Sequence, residues 1–128
     1  MKTIIISLLV LAATTNAAMA SVRLGAVTMY DSRSTQALHL AKCRFSRNVA
    51  VSKVQLLVKN QQTDIDRLSF KFHNGQSQSV DVRENIRPGG KTRWIDLKGS
   101  RRCIKKVTIT GDTDGWMADP ARIVIFGK

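Results

Sequence analysis

Residues 66–82 read DRLSFKFHNGQSQSVDV, and this stretch decides the fold class. Leu68, Phe70 and Phe72 alternate with polar residues, Asn74-Gly75 follows at once, and Val80 and Val82 resume the alternation beyond it. A period of two marks a strand with one buried face. Asn-Gly is the favoured centre of a type I′ turn, in which both central residues need positive φ. The stretch therefore reads as a β-hairpin.

The same punctuation recurs on either side. In VRLGAVTMY (22–30), Val22, Leu24, Ala26 and Thr28 fall on one face; DSRSTQ (31–36) reads as a loop, and ALHLAKCRF (37–45) as a strand. SKVQLLVKN (52–60) sets Val54, Leu56 and Val58 against Lys53, Gln55 and Lys59. RPGGK (87–91) is a turn, because proline fixes φ and glycine tolerates left-handed backbone. TRWIDL (92–97) follows as a strand with Ile95 and Leu97 on one face. RCIKKVTIT (102–110) aligns Cys103, Val107 and Ile109, interrupted by Lys105; GDTDGWMADP (111–120) reads as a loop, and ARIVIFGK (121–128) as the last strand. Glu84 is the only glutamate, and no segment carries a helical apolar stripe. The expectation is an all-β chain: one antiparallel, jelly-roll-like β-sandwich of about seven or eight strands.

The first twenty residues stand apart. Lys2, the apolar run Ile4–Ala13 and the Ala18-Met19-Ala20 pattern read as a secretory signal peptide cleaved before Ser21. The run is too short to cross a membrane, which takes about 20 apolar residues. Residues 21–128 are then one periplasmic or secreted domain with no transmembrane segment. The formal net charge is +12 over the whole sequence, and losing Lys2 leaves +11. Such a balance suits acidic partners and repels basic ones. Outside the cytoplasm those are an anionic envelope surface, a polysaccharide or an acidic protein.

In an exporting context the two cysteines, Cys43 and Cys103, have one pairing open to them, a disulfide. Closing a loop of about 60 residues stabilises a fold by roughly 4 kcal/mol. The link also has a consequence for charge. Bonded cysteines hold their Cα atoms within about 7 Å, so Lys42 and Arg44 would become neighbours of Arg101, Arg102, Lys105 and Lys106, with Arg47 just beyond. These six flanking residues are the candidate anion-binding surface.

Other chemistry finds little support. His39 and His73 come without a nucleophile elbow, so neither reads as a catalytic base. Asp64 and Asp66 read as solvated strand residues, and Asp112, Asp114 and Asp119 as turn formers, since an EF-hand would need a distal glutamate. No metal or other cofactor is expected, and the chain reads as a non-enzymatic binding module. Seven aromatic residues in all, without interleaved basic stripes, argue against nucleic acid. Trp94 and Trp116 read mainly as core covers. The alternative function is an envelope protein–protein contact through Trp116 and its loop, with Trp94 as a further interface candidate, or through an edge strand.

Several of these pieces are shared with a known group. LGA (24–26), Cys43-Arg44, TRWIDL (92–97), RCIKKVTITG (102–111) and RIVIFG (122–127) resemble a family of small exported proteins of unknown function typified by the enterobacterial YaaI protein. The resemblance implies export, the Cys43–Cys103 disulfide and an all-β fold. It implies no activity and transfers no functional residue.

Overall fold

A computed structural model describes residues 21–30, 32–41, 43, 49–113 and 120–128, with the backbone alone at Ser32 and Arg33. Segment 1–20, read above as a signal peptide, lies outside the described residues. In chain order the strands are β1 (Val22–Met29), β2 (Ser32–His39), β3 (Lys53–Lys59), β4 (Thr63–Phe72), β5 (Ser77–Ile86), β6 (Ile95–Asp96), β7 (Ile104–Thr113) and β8 (Ala121–Gly127). No helix occurs among the described residues.

β4 and β5 form the expected hairpin. It is also the tip of a longer one, because β3 pairs with β6, β2 with β7 and β1 with β8, all antiparallel. Lateral pairing of β8 with β3 and of β4 with β7 rolls this long hairpin into two sheets, β1-β8-β3-β6 and β2-β7-β4-β5. That is the eight-stranded jelly-roll sandwich. Its core is filled from both sheets, by Leu56, Val58, Ile123 and Ile125 on one side and Ile65, Leu68, Phe70, Val107 and Ile109 on the other.

The turns differ in detail from the sequence reading. At the hairpin tip only Gly75 has positive φ, +92°; Asn74 does not. Gly75 N–H donates to the Phe72 carbonyl at 3.0 Å, and Asn74 Oδ1 accepts from Gln76 N–H at 2.9 Å. This is a type I turn closed by a left-handed glycine, not type I′; it needs one positive φ where type I′ needs two. At 87–90, Gly90 N–H donates to the Arg87 carbonyl at 2.8 Å, and Gly89 has φ +89° behind Pro88, the layout of a type II turn.

Three ladder irregularities account for the remaining differences. Between Arg23 and Gly25 the register with β8 slips, so Leu24 turns inward as read from the sequence, but beyond the slip the alternation is reversed: Val27 and Met29 turn inward while Ala26 and Thr28 face out. At Asp66 the ladder slips against both neighbours. Between Ile104 and Lys106, β7 carries an extra residue against β4, so Ile104, not Cys103, joins Val107 and Ile109 in the core. The interruption at Lys105 is thus a bulge. β2 begins at Ser32, inside the stretch read as a loop, and β7 runs on to Thr113. Polar Ser34 and Gln36 occupy inward positions of β2, which hides its period from a hydrophobicity argument.

The disulfide joins Cys43 to Cys103 with Cα atoms 5.9 Å apart, just past the end of the β2–β7 ladder. Replacing both cysteines by alanine is expected to cost about 4 kcal/mol, read from urea unfolding against the oxidised parent. A second position is set by close approach. A Cβ on Gly111 would stand 2.5 Å from the Asp64 carbonyl oxygen, backbone that the bulge holds in place. Gly111→Ala should destabilise by about 1–3 kcal/mol, seen as a lowered thermal midpoint.

Candidate functional site

The run SRRCIKK enters β7 beside the disulfide, and the fold sends its four basic side chains in different directions. Arg102 turns inward over Phe72, its guanidinium carbon 4.0 Å from the ring centroid. Its Nη1 donates to the Lys98 carbonyl at 2.7 Å, and its Nη2 to Gln76 Oε1 and, at 3.5 Å, to Asn74 Oδ1. Its backbone bridges Val51 in both directions, at 2.7 and 2.9 Å. Gly99, at φ +91°, leaves room for this side chain, since a Cβ there would lie 3.0 Å from Nη1. Arg102 therefore lids the disulfide end of the core and ties together the hairpin tip, the 98–102 turn and the start of β3.

Arg101 is exposed, and its Nη2 donates to the Ala50 carbonyl at 3.1 Å. Lys105 is exposed on the bulge, and its carbonyl accepts from Leu40 N–H at 2.8 Å. Lys106 projects from the outer face of the β2-β7-β4-β5 sheet. Lys42, Arg44 and Arg47 lie outside the described residues, as do Trp116, Asp114 and Asp119. The described part of the basic run is shared between a structural arginine and an outward lysine row.

That row was not legible in the run itself. Register sets His39, Lys106, Lys71 and Ser77 side by side across the four strands of the sheet. The next outward row is Ala37, Thr108, Ser69 and Ser79. Lys71, Lys106, Ser69, Ser77, Ser79 and Thr108 line a shallow hollow of about 210 Å³. Two lysines and four hydroxyl-bearing residues share this lining, with no carboxylate among them, and the Ser69 and Ser79 hydroxyls bond each other at 3.1 Å. Like charges directly opposite on a ladder repel, so the lysine pair costs stability unless an anion or salt screens it.

The acids are set apart. Asp64, Asp66, Asp81, Glu84 and Asp112 of this sheet all lie at or beyond the Thr35–Thr110–Arg67–Asp81 row, in the half remote from the disulfide. A larger hollow of about 480 Å³ opens there, lined by Asp66, Arg67, Asp81, Arg83 and Thr110. Its arginines already meet Asp81, at 3.1 and 3.7 Å. With two acids against two bases it offers an anion no net charge, so the smaller hollow is the better anion site despite its size.

The remaining candidates have structural surroundings. Nε2 of His73 faces the Leu40 and Ala41 carbonyls at 3.2 Å each, so it carries the proton and pins the hairpin tip to the end of β2. His39 is exposed in the lysine row. Asp64 accepts from Asn85, and Asp112 sits within β7. No group of three metal-ligating side chains occurs among the described residues. Trp94 is half-buried under the Lys128 ammonium, 4.4 Å from its ring centroid. Edge strand β5 is strapped by Arg93, which donates to Glu84 at 2.7 Å and to the Val82 and Asp81 carbonyls at 3.1 and 3.3 Å. Gln78 reinforces the strap by bonding Asp96 and Lys98. This covering works against strand addition at that edge.

Fold and surface define a small, disulfide-stapled jelly-roll domain. The chain belongs to the family described as Domain of unknown function (DUF2541), whose model matches residues 3–127. It is similar to UPF0412 protein YaaI of Escherichia coli (strain K12 / DH10B), at 30% identity over 110 residues, 81% of this chain and 78% of the relative. The Salmonella agona YaaI protein is 29% identical over the same shares. No solved structure matches the chain.

The two kinds of basic residue are separable by experiment. Arg102→Ala should lower unfolding free energy by about 1–3 kcal/mol, since it removes a ring contact and the hydrogen bonds of a charged group. Lys106→Ala should leave the urea midpoint unchanged or slightly raise it, because it relieves repulsion from Lys71.

Proposed function

We propose that the mature chain is an exported, non-enzymatic binding module for an anionic envelope component, centred on Lys71 and Lys106. One observation carries the reading: two ammonium groups and a set of hydroxyls share a hollow, while the acids of the same sheet lie toward its other end. Phe70, the aromatic residue of the lining, is buried, so this shallow, hydroxyl-lined hollow offers no platform for stacking on sugars. It favours recognition of the charged groups, sulfate, phosphate or carboxylate, carried by a polymer. Lys105 and Arg101, exposed at the same end of the sandwich, extend the positive field that would steer such a polymer inward. Arg102 supports the site as a lid on the core rather than as a contact.

Heparin serves as a model polyanion. Lys71→Ser/Lys106→Ser should elute from immobilised heparin at lower salt. The slope of log affinity against log salt should fall by about one unit per lysine removed, as counterion release predicts for a linear polyanion. Arg87→Ser/Lys98→Ser, which removes equal charge from two exposed turns outside both sheet faces, is the control and should move elution less. Equal shifts for the two pairs would reduce the effect to net charge and refute a localised site.

A further inference from the structure

The outer face of the β1-β8-β3-β6 sheet carries a different pattern. Along β8 the outward residues are Arg122, Val124 and Phe126, with Lys128 just past the strand; along β3 they are Lys53, Gln55, Leu57 and Lys59. On this face both central strands begin and end in cations; Val124 and Phe126 lie between them on β8, and Gln55 and Leu57 on β3. Register places Ala26 beside Val124, Val124 beside Leu57, and Arg23 beside Phe126. Lys91 bridges to Leu57, and Trp94 extends the floor beneath Lys128. The result is a mainly apolar floor of Ala26, Val124, Leu57 and Phe126, broken by Gln55 beside Phe126 and rimmed by Arg23, Lys53, Lys59, Lys91, Arg122 and Lys128. The one described acid on this face, Asp96, is engaged by Lys53 at 3.7 Å.

The other sheet shows that the fold does not require such a floor. On its outer face the comparable central positions are Thr108, Thr110, Ser69 and Arg67. Val124 is only 2% exposed, so the apolar surface that remains accessible on this face is that of the half-buried Ala26, Leu57 and Phe126.

The geometry points to the surface of an anionic phospholipid bilayer as the occupant of this face. A mainly apolar centre would settle at the boundary of headgroups and acyl chains, with the long lysine and arginine stems reaching phosphates around it. A second copy is disfavoured, because the same rim would face itself with like charge. Each cation near an anionic leaflet strengthens adsorption about fivefold. The proposal is independent of the Lys71–Lys106 hollow, which lies on the opposite sheet.

Co-sedimentation of the mature chain with phosphatidylcholine vesicles, with and without phosphatidylglycerol, tests it. Binding is expected only where phosphatidylglycerol is present. Lys59→Ser/Arg122→Ser should weaken that binding by roughly thirtyfold, and Phe126→Ser should weaken it further at raised salt, where charge is screened and the apolar share dominates. Lys71→Ser/Lys106→Ser should bind as the parent does, with circular dichroism confirming the fold of each variant. The proposal is overturned by absence of binding to anionic vesicles, equal binding to neutral ones, or equal losses for the two charge pairs. Retention on polyglutamate without vesicle binding would likewise overturn it, assigning the face to an acidic protein.

Discussion

The outward charges on the described strands are placed by the two-residue repeat of each strand, and that repeat is reset wherever a ladder bulges. The extra residue in β7 delivers Ile104 to the core and leaves Lys106 outside, opposite Lys71. The slip in β1 turns Leu24 and Val27 inward and gives Ala26 to the outer face. The bulge at Asp66 brings the Asp64 carbonyl so near β7 that only glycine fits at position 111. Without the extra residue in β7, Lys105 would take the inward position opposite Phe72 that Ile104 holds. The irregularities are therefore part of what specifies the surface.

The basic end is held by contacts that do not depend on a ligand. The disulfide ties the ends of β2 and β7, His73 pins the hairpin tip to β2, and Arg102 lids Phe72. A guanidinium suits the last task because it stacks on a ring face while its coplanar N–H groups reach several carbonyls. With that end fixed, the backbone positions of the opposed lysines stay side by side, and only side-chain rotation, salt or a bound anion can ease their repulsion. A pre-organised concentration of like charge stores a small unfavourable energy, and a bound anion would release it.

Much of the architecture was legible because antiparallel pairing leaves a local trace. The β4–β5 hairpin, β3, the 87–90 turn and β8 all announce themselves through alternation bounded by Gly, Pro or Asn. β2 did not, because its inward positions include Ser34 and Gln36; it exists because β7 offers it a ladder. The candidate site was legible only in part. Charge alone singled out Lys106, but Lys71 belongs to a strand read purely as half of a hairpin, and only the β4–β7 register makes the two neighbours. The same charge run overstated Arg102, since composition cannot distinguish a solvated cation from one spent over a ring.

The two sheets share the sign of their outward charge but not its setting. On β4 and β7 the cations stand among hydroxyls, where an anion would exchange water for hydrogen bonds at little cost. On β3 and β8 they ring an apolar floor, where binding would gain from burial as well as from charge. Screening by salt would erode the first kind of binding faster than the second, because apolar burial is indifferent to ionic strength. A molecule with both faces could hold a charged polymer on one side while lying against an anionic surface on the other. The β5 edge strapped by Arg93, Gln78 and the 91–98 segment would face neither, which fits an edge closed against strand addition.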